Sequence, residues 1–469
     1  MKRKTRRSST IRVRLRAFSV SCLWVLLVVA CGESQSTDVE SAAEFRDAFL
    51  AGERSWEQVL ERAAQEGEVE FYHWGGSEAL NNWMEVSARP EIEQNDIRLN
   101  LRRADTRDVV DLVLADMATE RGPGDGTVDM VWINGENFRT LKDNNALFGS
   151  FADQLPNARY YLLDADDPAS SVNLFDFGTP TDLMEMPWAA FQYTFRIDTE
   201  RLVPEDAPRT FAELEEWMQE NPGRFTYVAP PQYIGTTFVQ TLIYEMNPDG
   251  TRYEPFLEDP EDIGAPELAR LMRPAFEYLR RVEPYLLGGS GDPERPGRPE
   301  YPATAGALQS RFVGGEVDFD MEFGIYDVDR EIRAGVYPET VRNIIFPEAG
   351  MITDKSFLAI PLNAPNPAAA LVAINALSAP ESHLSKLVEI GYAPGLDVPL
   401  LDPEDQRAFE AGAPDLHGVT AEELSAHEAP NVNARLVDII DAVWMEYVAE
   451  RSSRTFGDIV AEAWDAAVR

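Results

Sequence analysis

Aromatic, glycine and hydroxyl residues recur in this chain where apolar runs end, and that combination can hold a small molecule. Phe71-Tyr72-His73-Trp74 closes one run and leads into Gly75-Gly76-Ser77-Glu78, with Asn81 and Trp83 close behind. A strand that passes through glycines into a helix start turns backbone N–H groups toward one point, as ligand seats in open α/β sheets do. Val131-Trp132-Ile133 is followed in the same way by Asn134-Gly135-Glu136, and Pro230-Pro231-Gln232 by Tyr233-Ile234-Gly235-Thr236-Thr237. Each has a plain alternative. Trp74 and Trp132 can be core residues, Glu136 a helix-start acid favoured by the dipole, and Gly235-Thr236-Thr237 a simple N-cap. Trp188, in Met186-Pro187-Trp188, is as compatible with a structural role as with contact.

Two ligand chemistries fit these residues. Opposed helix N-termini suit an anion, whereas tryptophan and tyrosine with nearby acids suit an organic cation. Asp318, Asp320 and Glu322 are spaced by two and share one strand face. In so acidic a chain that face reads as solvated; lining a cleft, it favours a cation.

The elements that must position these residues follow from periodicity. Strands are expected at 69–74, 97–101 and 128–133, with a helix from Thr106 carrying Val109, Val110 and Val113 between the second and third. Strands and helices in alternation with short turns imply a parallel sheet. Further extended segments are expected at 191–198, 225–228, 317–321 and 357–361, and two amphipathic helices at 434–449 and 453–468.

Composition narrows the function. The chain has 469 residues, 44% of them hydrophobic, enough for two α/β domains. Its net charge of −39 argues against nucleic acid, which needs a positive surface. Lysine is scarce beyond the N-terminus (Lys142, Lys355, Lys386). Self-repulsion of this kind is tolerated best where salt screens it, so a saline habitat is expected. A melting temperature indifferent to molar salt would count against that expectation.

The N-terminus reads as an export signal. Lys2, Arg3, Lys4, Arg6 and Arg7 precede an apolar run over 17–30, then Cys31-Gly32-Glu33-Ser34. The expectation is a lipoprotein signal peptide (1–30) cleaved before a lipid-bearing Cys31, with a tether and lead-in helix over 31–65. Cys22 would be lost with the leader, leaving no disulfide or thiolate chemistry in the mature chain. Its four histidines show no H-E-x-x-H spacing, and G-x-S-x-G and G-K-[ST] are absent. No catalytic residue, metal or cofactor is expected. The alternative is a secreted carbohydrate-active enzyme using paired carboxylates.

Taken together, Tyr72-His73-Trp74-Gly75-Gly76, Val128-Asp129-Met130-Val131-Trp132-Ile133-Asn134-Gly135, Met186-Pro187-Trp188, Pro208-Arg209-Thr210-Phe211, Gly223-Arg224-Phe225-Thr226-Tyr227 and Phe357-Leu358-Ala359-Ile360-Pro361 resemble the extracellular solute-binding component of ABC importers. The branch is that of thiamine-, iron(III)- and polyamine-binding proteins, and within it the YnjB-like group. The resemblance implies an α/β, two-lobed periplasmic-binding-protein-like fold (type II) with a ligand cleft between lobes joined by crossover strands. Lobe 1 would comprise 66–188 and 355–395 and lobe 2 189–354, with 396–469 an acidic loop and helices of open assignment. The implied partners are an ABC permease and ATPase, the membrane through Cys31, and a small solute. An organic cation such as thiamine or a polyamine stands slightly ahead of an oxyanion. Ligand contact is expected at Trp74, Gly75, Gly76 and Ser77, at Trp132, Asn134, Glu136 and Trp188, and at Tyr233, Gly235 and Thr236.

Overall fold

Alternation buries Val69, Phe71 and His73 on one face of β1 (Glu68–His73), which pairs in parallel with β2 (Arg98–Arg103) and β3 (Met130–Ile133). The computed structural model describes residues 40–75, 77–167 and 170–469; the leader, Cys31 and Gly76 lie outside them. The helix Thr106–Ala118 connects β2 to β3 and buries Val109, Val110 and Val113.

Two long strands carry the sheet onward. The first, Glu185–Asp198, pairs antiparallel with the second, Met351–Ala359, along Glu185–Gln192. Beyond that point Tyr193–Asp198 pairs instead with Phe319–Phe323 and Val341–Ile344, while the far end of Met351–Ala359 pairs with β3. Both crossover strands therefore belong to both halves of the sheet. The register slips between Pro187 and Ala189, where proline removes a ladder donor.

Separate apolar cores lie on either side of this crossing. One gathers Phe45, Phe71, Trp83 and Trp188 with Leu358, Leu371 and, further along, Phe409. The other gathers Phe195, Phe238, Leu279 and Phe346 with Ile439 and Ile459 from the last two helices. The chain thus has the α/β fold of a two-lobed binding protein.

Some expected strands are shorter or differ in kind. Residues 225–228 do not join the sheet; Leu287 N donates to Phe225 O at 2.8 Å and Ala229 N to Pro302 O at 2.9 Å, so loop backbone satisfies them. The strand expected from 128 begins at Met130, because Asp129 turns its carboxylate to Glu70 N (2.7 Å) and Asn366 N (2.6 Å). The final helices are Ala434–Val443, continued as a π-helical turn through Ala449, and Phe456–Ala467.

Candidate functional site

Asn81 Nδ2 donates to Gly75 O at 3.0 Å, and Ser77 Oγ accepts from Leu80 N at 3.2 Å, so the turn after β1 is held by its own side chains. A Cβ on Gly75 would sit 2.8 Å from Arg103 Cβ, which explains the glycine by packing. At the end of β3, Gly135 has φ 59° and donates its N–H to both oxygens of Asp176 at 2.7 Å. A side chain there would be strained and would press on the Phe177 ring. These two turns form one wall of a cavity of about 750 Å³, to which Trp74, Ser77, Trp132, Asn134 and Glu136 contribute.

The opposite wall is the helix Tyr233–Glu245. Tyr233, Thr236, Thr237 and Gln240 recur at helical spacing and all line the cavity. Gly235 does not. It faces away, where a Cβ would collide with Val228 O, so its role is close packing. Gln232 Oε1 caps this helix by accepting from Ile234 N at 2.9 Å.

Trp188 also stays out of the cavity. It is fully buried behind Trp132, ring centroids 6.5 Å apart and edge-on, with Lys386 Nζ 4.1 Å from its ring centroid and donating to its carbonyl. Trp132, half-buried, stands between Trp188 and Trp74, whose ring is 5.6 Å away and 36% exposed to the cleft. Trp188 packs behind Trp132, and Trp132 is the one of the two indoles that lines the cavity.

The acids spaced by two on Phe319–Phe323 and just before it are not solvated, contrary to the sequence reading. Asp318 is buried against Arg224 and lies 3.6 Å from Arg201. Asp320 is buried 3.7 Å from Arg196, which also lies 3.5 Å from Asp327, and it accepts from Tyr337 OH. Glu322 is different. Half-buried in the cavity wall, it accepts from Tyr233 OH at 3.3 Å and Phe323 N at 2.9 Å, and among the described residues no base lies within ion-pair distance. Burial pushes its carboxyl up to about 8; Arg196 opposes this, and Asp327 and Asp320 add to it. The Tyr233 and Phe323 rings stack on each other, centroids 6.0 Å apart.

The cavity's bases are otherwise engaged. Arg139 pairs with Asp438 at 2.9 Å and Arg330 with Asp327 at 2.6 Å, while Lys355 Nζ donates to Asn173 Oδ1 and Gly395 O. Sequence reasoning missed Phe191, Phe323, Tyr392, Gln240 and Asp441, all of which line the cavity. Only Gln240 carried a local signal, as the next turn of the face that begins at Tyr233 and Thr236.

Residues 91–410 match the family described as bacterial extracellular solute-binding protein. Protein YnjB of Escherichia coli (strain K12) is 33% identical over 356 residues, which span 76% of this chain and 85% of that protein. MalX from Streptococcus pneumoniae, solved with maltopentaose, superposes with a TM-score of 0.60 at 14% identity, over 85% of this chain and 99% of that one. The cyclic alpha-maltosyl-1,6-maltose binding protein from Arthrobacter globiformis gives 0.57 at 17% identity, over 85% and 96%. Those two likenesses concern the fold alone. The chain belongs to the bacterial extracellular solute-binding proteins.

Proposed function

We propose that the protein captures an organic cation in this cleft and delivers it to the permease and ATPase of an ABC importer. The observation that carries the reading is Glu322, a carboxyl without a basic partner among the described residues, which lines the cavity together with the stacked Tyr233 and Phe323 rings while the cavity's bases are already engaged. A bound cation would supply the missing charge, and Trp74, Trp132, Tyr233 and Phe323 offer ring faces for cation–π contact. Thiamine and polyamines are cations of this kind, as the family resemblance suggested. An oxyanion fits less well. The helix starts that would hold it are taken by Ser77 and Gln232 or occupied by the acid Glu136.

In this reading the lobes are 66–188 with 355–395, and 189–354, and the cleft closes by rotation about the two crossover strands. The membership of the two apolar cores supports that division and adds 419–463 to the second lobe. Trp74, Ser77, Trp132, Asn134 and Glu136 then face Tyr233 and Thr236 across the solute. Gly75, whose carbonyl accepts from Asn81, shapes the turn of the first wall without lining the cavity.

Thermal shift of the mature protein tests the reading. Saturating ligand at 100 times its Kd should add about 2.7 kcal/mol of apparent stability. Organic cations should raise the melting point and phosphonates or sulfur oxyanions should not; the reverse pattern would refute the proposal. Anchoring through Cys31 is part of it, motivated by the apolar run and cysteine at 17–31. Cys31→Ser should leave the protein out of the detergent phase on partitioning, and unchanged partitioning would remove the anchor from the reading.

A further inference from the structure

One turn beside the cleft holds an aromatic residue where the backbone least favours one. Phe175–Asp176 and Thr179–Pro180 form a hairpin whose two turn residues, Phe177 and Gly178, have φ 43° and 75°. A two-residue turn with both φ values positive favours Asn-Gly or Asp-Gly, and a bulky residue there is strained. Strain of this kind persists only where the surroundings fix it, and it gathers at ligand clamps. Three consecutive residues fix it here. Asp176 accepts the Gly135 N–H through both oxygens at 2.7 Å. The Phe177 ring lies against Gly135, where a Cβ would come 3.4 Å from it. At Gly178 a Cβ would collide with Val432 O, so the tip of the hairpin is pressed onto the chain at 432–434.

What the ring separates gives it a role. The cleft of about 750 Å³ has a neighbouring cavity of about 470 Å³, and Phe177 and Asp354 line both. Asp354 is held in place. Its Oδ1 accepts from Lys355 N at 2.7 Å and its Oδ2 from Asn431 Nδ2 at 2.6 Å, and Phe177 N also donates to it. The half-buried Phe177 ring is the apolar part of this partition. Beyond it, Val172, Phe175, Tyr253 and Leu257 offer the second cavity an apolar wall. We infer that Phe177 determines specificity by setting the size limit of the solute: its ring closes the cleft against the second cavity and excludes solutes with an apolar extension on that side. This rests on the cleft being the capture site of the proposed function, though not on the charge of the solute. Glycine at 177 would adopt the same φ without strain and would join the two spaces.

Isothermal titration of the mature protein and of Phe177→Gly tests the limit, with n-alkyltrimethylammonium ions from methyl to octyl as probes. Affinity for the unmodified protein should level off or fall once the chain reaches the ring. Phe177→Gly should instead gain about threefold for each further methylene buried. Phe177→Asn, a smaller side chain that tolerates the same φ, should act in the same direction. Circular dichroism melts establish that the variants are folded. Phe175 lines the second cavity and not the cleft. Phe175→Ala should therefore leave the unmodified profile as it is and cut the gain when combined with Phe177→Gly. The same chain-length profile with and without Phe177, or a gain that Phe175→Ala does not reduce, would overturn the size limit and leave the cation reading standing. If n-alkylphosphonates bound and the ammonium ions did not, the cation reading would fall, and the same comparison made with the phosphonates would decide the size limit by itself. Binding of neither series to any of these proteins would overturn both.

Discussion

Glu322→Gln should weaken capture of an organic cation by about 10- to 100-fold while leaving the fold intact. The magnitude follows from the roughly 1.5–3 kcal/mol that a hydrogen bond to a charged group contributes. Glutamine keeps the shape and an oxygen for Phe323 N and Tyr233 OH, so only the charge is lost. The same carboxyl gives a pH signature. Because it is pushed up to about 8 in the solute-free cleft, it is mostly protonated at neutral pH. A cation binds the ionised form. Affinity should therefore level off above about pH 8 and fall up to tenfold per unit below it, until the carboxyl's pKa in the complex is reached. Titration calorimetry between pH 5.5 and 9 reads both effects. An affinity within twofold of the unmodified protein, with the same pH profile, would mean that Glu322 does not face the solute.

The second large effect concerns stability. Arg196→Met should cost about 3–5 kcal/mol, the usual loss when one partner of a buried ion pair is removed. Arg196 is 2% exposed and lies between Asp320 and Asp327, with Tyr337 OH accepting from it at 3.1 Å. Asp327 would retain Arg330, but Asp320 would have no base left close by. Burial already raises the Asp320 carboxyl even with Arg196 beside it. Without the arginine it would hold its proton to higher pH, so the loss should be greatest above neutrality and shrink on acidification. Chemical denaturation followed by circular dichroism at pH 5 and 8 measures both. A loss below about 1 kcal/mol at pH 8 would show that these acids are neutral in the intact protein, and would weaken the contrast drawn between them and Glu322.

Features governed by neighbours in the chain were legible in the sequence. Alternation set β1 and β2, and the periodic valines after Thr106 set the helix between β2 and β3. The turns at Gly75 and Gly135 were readable because a strand must break at such points, whatever packs around it. The face bearing Tyr233 and Thr236 was legible for the same reason, since 3.6-residue periodicity is local.

Which of these residues meets a solute was decided by tertiary contacts. Trp132 and Trp188 have the same side chain and each lies within an apolar run, yet one lines the cleft and the other lies behind it. Gly235 sits in the motif but faces Val228. Asp320 and Glu322 are two residues apart on one strand, and they differ because Arg196, more than a hundred positions earlier, pairs with the first and not the second. Asp441 reaches Thr236 from 205 positions away. By itself the sequence determined β1, β2, the glycine turns and the resemblance to solute-binding proteins, since these depend on backbone sterics and local periodicity. Only the tertiary structure decided which carboxyls are left without a base, because charge compensation depends on residues distant in the chain.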